Sequence, residues 1–202
     1  GSITSGVNDG MIILNGVDYV TINNIIFNEL ATNTTAALAM EHGIGMYNRT
    51  ATVGAADGCK YVTISGCTFN LSNVSGPGMA INAAPYVWDN ATVIAWEGTS
   101  EVDIHRSITI NNNNFANIFS GVQFRGATSR PGKALVVTNN TFTGIGGGSG
   151  NTAYGTNVIY LDSVIYTNNI STGDLTHSTT SYHFNGITNV GGFIKLNNNT
   201  LT

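Results

Sequence analysis

The sequence predicts an all-β fold, a solenoid of about six rungs with three strands to a rung, and three observations predict it. One phrase of about eight residues recurs six times. A fixed place in that phrase holds only Asn or Gly, and a separate short apolar segment falls between one phrase and the next. Self-similarity of this kind marks a repeat architecture in which each unit buries its apolar face against its neighbours.

In chain order the phrases are Val20-Thr21-Ile22-Asn23-Asn24-Ile25-Ile26-Phe27, Val62-Thr63-Ile64-Ser65-Gly66-Cys67-Thr68-Phe69, Ile108-Thr109-Ile110-Asn111-Asn112-Asn113-Asn114-Phe115, Leu135 to Phe142, Val164 to Ile170, and Ile194 to Leu201. With Ile22, Ile64, Ile110, Val137, Tyr166 and Leu196 as equivalent anchors, the residue two places earlier is always Val, Ile or Leu. Alternation with one buried face requires this, so each phrase opens with a strand. Two places after the anchor stand Asn24, Gly66, Asn112, Asn139, Asn168 and Asn198. Asn and Gly enter the left-handed backbone region at least cost, which places a sharp bend there. The next residue is Asn113, Asn140, Asn169 and Asn199 in later copies, with Ile25 and Cys67 earlier. Stacked about 4.8 Å apart, inward amides bond one another in an asparagine ladder. Five places after the anchor come Phe27, Phe69, Phe115, Phe142 and Leu201, with Ile170 near that place in the shorter fifth copy. A second strand follows the bend.

The third strand of each rung is read in Met11-Ile12-Ile13-Leu14, Gly43-Ile44-Gly45-Met46, Gly78-Met79-Ala80-Ile81, Gly121-Val122-Gln123-Phe124 and Asn157-Val158-Ile159-Tyr160, with Tyr182-His183-Phe184 a weaker sixth. Successive anchors lie 42, 46, 27, 29 and 30 residues apart, so long insertions fall in the first two intervals.

The phrase resembles that of the right-handed parallel β-helix proteins, the pectate-lyase-like superfamily, over nearly the whole chain. A closer likeness lies in Gly16-Val17-Asp18-Tyr19-Val20-Thr21-Ile22, in Asp57-Gly58-Cys59-Lys60-Tyr61-Val62-Thr63-Ile64-Ser65-Gly66-Cys67 and in Glu41-His42-Gly43-Ile44. These are similar to β-helical segments of large secreted surface proteins of Bacteroidetes bacteria. The resemblance implies a secreted or cell-surface setting, and one β-helix domain over residues 1–202 that belongs to a longer chain.

Charged residues number 18, fewer than the 27 Asn, and the net charge is −4. That balance offers no basic patch for nucleic acid, and no apolar run approaches the ~20 residues of a membrane span. Cys59 and Cys67 bracket one strand; at that spacing along an extended segment a bridge requires the chain to double back, and a buried thiol at Cys67 is favoured. No spacing suggests a metal site, and no cofactor motif occurs. Gly144-Ile145-Gly146-Gly147-Gly148-Ser149-Gly150 reads as a loop between strands rather than a phosphate cradle.

Polysaccharide cleavage needs a base and carboxylates converging on one cleft. The basic residues are Arg49, Lys60, Arg106, Arg125, Arg130, Lys133 and Lys195; the acids of the insertions are Glu29, Glu41, Glu97, Glu101 and Asp103. They do not recur at one register. Arg125, Arg130 and Lys133 cluster beyond one third strand, and Asp162 reads as a turn residue at the end of another. His42 and His105, each beside a charge, are placed to titrate near neutrality or to donate to a glycan, although a histidine bonding a loop carbonyl is the commoner outcome. The insertion from Ala83 to Arg106 carries Tyr86, Trp88 and Trp96, whose apolar faces suit sugar rings. With Glu97 and Arg125 they form the candidate glycan-binding set, and residues 33–40 are placed to complete a groove. A row of outward Thr21, Thr63 and Thr109 suggests an ice-binding face, but Val136, Ile165 and Lys195 interrupt it.

The expected function is a structural and adhesive module that displays loops to a glycan or a surface protein. Alternatives are a polysaccharide lyase or glycoside hydrolase and an ice-binding solenoid. Unpaired strand edges at the ends predict end-to-end contact, with further rungs of a parent chain or between copies.

Overall fold

The computed structural model describes residues 10–29, 40–50, 57–71, 78–89, 92–95, 100–146, 152–173 and 181–202. These form an all-β column with the architecture of a right-handed parallel β-helix. Each rung contributes one strand to each of three sheets.

Sheet A contains β1 (Gly10–Asn15), β4 (His42–Asn48), β7 (Met79–Asp89), β11 (Ser120–Arg125), β14 (Thr152–Ile159) and β17 (Ser181–Thr188), in that order. Sheet B contains β2 (Thr21–Asn23), β5 (Thr63–Ser65), β9 (Arg106–Asn111), β12 (Lys133–Thr138), β15 (Val164–Thr167) and β18 (Ile194–Asn197). Sheet C contains β3 (Ile26–Asn28), β6 (Thr68–Asn70), β10 (Asn114–Ile118), β13 (Thr141–Ile145), β16 (Ile170–Gly173) and β19 (Thr200–Leu201). Pairing is parallel throughout, save that β8 (Thr92–Ala95) folds back antiparallel on β7. At about 4.8 Å per strand the column is about 25 Å long. Among the described residues the one helical turn is the short 3-10 segment Glu101–Asp103.

The anchors pair in register, Ile22 with Ile64, Ile64 with Ile110, Ile110 with Val137, Val137 with Tyr166 and Tyr166 with Leu196. The bend after each anchor has the expected left-handed backbone, with φ of 56° at Asn24, 62° at Gly66, 56° at Asn112, 58° at Asn139 and Asn168, and 53° at Asn198. That bend turns the chain from sheet B into sheet C and aims the next side chain inward.

The inward amides form the ladder. Asn113 donates from its backbone N and Nδ2 to Asn140 Oδ1 at 2.9 and 3.0 Å, Asn140 does the same to Asn169, and Asn169 to Asn199. Each Nδ2 also donates to the anchor carbonyl of the preceding rung, as Asn140 does to Ile110 O at 3.0 Å. Cys67 heads the ladder: its backbone N donates to Asn113 Oδ1 at 2.9 Å, and its Sγ lies 3.8 Å from the anchor carbonyl of Ile22. Both cysteines are buried free thiols.

Beside the ladder runs a column of phenyl rings. Centroids of Phe27 and Phe69 lie 4.6 Å apart, Phe69 and Phe115 5.1 Å, and Phe115 and Phe142 4.7 Å, all within 8° of parallel. Sheet A packs close against it: a Cβ at Gly43 would sit 2.8 Å from the Phe69 ring, and one at Gly121 would sit 2.6 Å from Phe142. The recurring glycines of sheet A are therefore steric necessities here.

Three expectations need correction. Ser171, not Ile170, pairs with Phe142 and is buried, while Ile170 faces solvent: the fifth phrase is not shortened, and Ser171 stands five places after Tyr166 as Phe142 does after Val137. In the sixth rung Tyr182 pairs with Ala153 and His183 with Tyr154, so Tyr182-His183-Phe184 precedes the stretch equivalent to the other third strands, where Ile187 pairs with Val158. Gly144 and Ile145 belong to β13, and Gly144 takes a φ of 62°; residues 147–150 lie outside the described residues.

Candidate functional site

The second long insertion begins as a continuation of β7, which breaks register with β4 between Ala83 and Val87, where Val87 pairs with Asn48, and β8 returns beside it. Tyr86 pairs with Ala95, Val87 with Ile94, Trp88 with Val93 and Asp89 with Thr92. Its pairing with β11 ends at Ala83, opposite Phe124, near the end of β11 at Arg125. Past that point the β7 edge is free to take an antiparallel neighbour.

His105 ties the root of this hairpin down. Its Nδ1 accepts from Cys59 N at 2.9 Å, so the proton sits on Nε2, which donates to Ala84 O at 2.9 Å. One imidazole thereby joins the preceding rung's corner, the departing strand and the returning chain. Burial lowers its pKa to about 4, and His42 likewise falls to about 4 through burial. The expectation that either histidine titrates near neutrality is overturned, because desolvation outweighs the hydrogen bonds that favour the cation.

Of the residues singled out for glycan binding, the structure brings Tyr86 and Arg125 together. Arg125 Cζ stands 5.8 Å from the Tyr86 ring centroid, within cation–π range. Both are half-buried, and Arg125 Nε is buried without a hydrogen-bond partner. Trp88 contributes its backbone to β7, while Trp96, Glu97 and residues 33–39 lie outside the described residues.

The remaining charges scatter. Arg49 faces Asp57 at 3.7 Å, and Lys60, buried at the A–B corner, bonds Asp57 and lies 3.8 Å from Asp18. Arg130 and Lys133 do not join Arg125: they share Glu101 at 3.2 and 2.8 Å. The hydrogen bond from Lys133, with the charges of Lys133, Arg130 and Arg106, holds Glu101 below the usual carboxylate range. Asp162 lies beyond the end of β14, exposed, and lines an open depression of about 260 Å³ with Glu101, Ser129, Arg130 and Lys133. Glu41 precedes β4, whereas Arg49 follows it and Arg125 ends β11. Seven residues of strand separate Glu41 from Arg49, about 20 Å or more. Glu41, Arg49 and Arg125 thus do not meet in one cleft. Among the described residues no three His, Cys, Asp or Glu side chains are grouped to hold a metal ion, and no helix is long and apolar enough to cross a membrane.

Two groupings escaped sequence reasoning. On sheet A, Asn82 Nδ2 lies 3.4 Å from His42 Nε2 and donates to Tyr47 Oη at 3.3 Å; all three side chains are buried, and His42 Nδ1 and Asn82 Oδ1 have no partner. Burial pushes the Tyr47 hydroxyl up to about 12. At the A–B corner, Tyr19 and Tyr61 stack with centroids 4.8 Å apart and planes 8° from parallel, 77% and 44% exposed. The signal for this pair was present, since each tyrosine stands three residues before its anchor.

The row Thr21, Thr63 and Thr109 is in register and continues into Val136, Ile165 and Lys195, so the hydroxyl array ends at the third rung. No protein-family model matches the chain, and no match was found among curated proteins or solved structures.

Proposed function

We propose that this chain is a structural display module of a secreted or surface-anchored protein, whose column holds loops out to contact glycans or partner proteins. The observation that carries this reading is the root of the β7–β8 hairpin. There Tyr86 and Arg125 are held side by side on strands that the ladder, the phenyl column and His105 fix in place. An aromatic face beside a guanidinium offers one apolar and one hydrogen-bonding surface, the pairing that recognises a sugar ring and its hydroxyls. Loops positioned by a rigid scaffold are where binding residues collect. The resemblance to β-helical segments of secreted surface proteins supports the extracellular setting, and the wide separation of Glu41 from Arg49 and Arg125 weighs against cleavage.

A glycan array probed with the purified chain tests the reading, repeated with Tyr86→Ala, Arg125→Ala, Trp88→Ala and Trp96→Ala. Binding that weakens in the Tyr86 and Arg125 variants is expected. Failure of the parent chain to bind any glycan would leave a spacer without a glycan site.

A further inference from the structure

We propose a second sugar site, a slot at the A–B corner walled by the face of Tyr61 and floored by Ser107. It rests on the reading of the module as one that contacts glycans, and adds a place and a ligand geometry to it. Tyr19, Tyr61, Ser107 and Ala134 form one file down the corner. Tyr19 N donates to Lys60 O and Tyr61 N to Arg106 O, Lys60 bridges Arg106, and Arg106 pairs with Lys133. The four share one backbone conformation, with φ of 58°, 55°, 55° and 54°. Their Cβ atoms therefore leave the column in the same direction, one rung apart.

The first two carry aromatic rings and the next two carry almost nothing. The stack of Tyr19 on Tyr61 repeats at 4.8 Å, the rung spacing itself. A flat six-membered ring placed over Ser107 falls at the next step of that repeat, in contact with the open face of Tyr61. A second wall is absent because Ala134 is also small, so the slot admits a ring from the side. Beside it on the outward face of sheet B stand Thr63 and Thr109, paired side by side, whose hydroxyls donate to and accept from those of a sugar. Asp18 and Lys60, just behind the tyrosines, are paired with each other at 3.8 Å. An apolar face at rung spacing, edged by hydroxyls, fits the pyranose ring of a glycan.

The backbone adds a second argument. Left-handed residues without glycine carry strain, and a bulky aromatic gains nothing from the bend itself. A second left-handed file, two residues after each anchor, uses Asn and Gly throughout, and of the left-handed positions outside both files one, Tyr160, is also a tyrosine. Tyrosines at Tyr19 and Tyr61 instead present two rigid rings to solvent.

The test is the same glycan array, carrying neutral and uronic hexasaccharides, with Tyr61→Ala, Ser107→Tyr and Tyr86→Ala compared with the parent chain. Ser107→Tyr fills the slot with a third ring at a backbone position that already accepts tyrosine twice, so its melting temperature should match the parent's. Binding weaker by about tenfold or more in both Tyr61→Ala and Ser107→Tyr is expected, and the class of hexasaccharide lost says whether the ring is neutral or a uronate. If Tyr61→Ala does not fold, Ser107→Tyr alone decides. Full binding by Ser107→Tyr overturns the slot. Loss with Tyr86→Ala alone overturns it while leaving the hairpin root as the site, and no binding by the parent chain overturns both readings.

Discussion

Asn140 sits mid-ladder, accepting from Asn113 and donating to Asn169 and to Ile110 O. Replacing it by Ala removes these bonds and leaves buried donors and an acceptor without partners, at about 1–3 kcal/mol for each unsatisfied group. Asn140→Ala should therefore lower unfolding free energy by about 2–4 kcal/mol in urea titrations, whereas Asn199→Ala, at the half-buried end of the ladder, should cost under about 1 kcal/mol. Asn48 is the opposite case: it is fully buried with neither amide atom bonded. Asn48→Leu exchanges an unsatisfied amide for an apolar group of similar size, and urea titration should show it neutral or up to about 1 kcal/mol more stable. His42 and His105 set the acid limit. Their folded pKa of about 4 lies below the unfolded value of 6.5, so the unfolded chain takes up protons first and stability falls as pH drops from 6.5 towards 4. Each contributes at most about 3 kcal/mol to that fall, and His105→Gln should lose visibly less stability than the parent between pH 7 and 4.5.

At the scale of strands, the B and C sheets were legible because their signals are local. Val-x-Ile fixes a buried face, Asn or Gly fixes the bend, and the next Asn fixes the ladder, all within eight residues. Sheet A was harder to read. Its strands contain Gly43, Gly45 and Gly121, placed by contacts with Phe69, Ile13 and Phe142 that lie more than 20 residues away in sequence. The insertion from Ala83 to Arg106 gives no local sign of the β7–β8 hairpin for a related reason: its pairing beyond Ala83 depends on where the neighbouring strands end. The site was legible only in residue type. The Tyr86–Arg125 contact joins two rungs, and no periodicity within either segment announces it. Cys59 and Cys67 follow local logic again, flanking β5 as separate buried thiols, with burial pushing Cys59 up to about 11. Neither should react with a disulfide reagent in the native state, and both should react once urea unfolds the chain; a native reaction of either would mean that its rung opens.

The whole column is asymmetric at its ends. In the first rung Ile22 is 6% and Phe27 3% exposed, whereas in the last rung Leu196 is 51%, Leu201 60% and Ile194 43% exposed. Those residues are in register with buried Tyr166, Ser171 and Val164, so the last rung presents an open cross-section of the core. Phe193, 58% exposed, adds to that face. Along the same edge the outer backbone groups of β17, β18 and β19 have no strand beyond them among the described residues, the arrangement that invites pairing with another chain. In a purified sample the available partner is a second copy. Where two copies of this chain pair through that edge, last rung to last rung is a two-fold contact that closes as a dimer, whereas last rung to first rung would grow into a fibre. Light scattering after size exclusion should show a dimer whose fraction rises with concentration. Leu196→Lys with Leu201→Lys should return it to monomer, and because each side chain is still about half covered in the single chain, unfolding free energy should fall by up to about 2 kcal/mol as well. A strictly monomeric parent at high concentration would sink this prediction, and growth beyond the dimer would show that the first rung is also open to pairing.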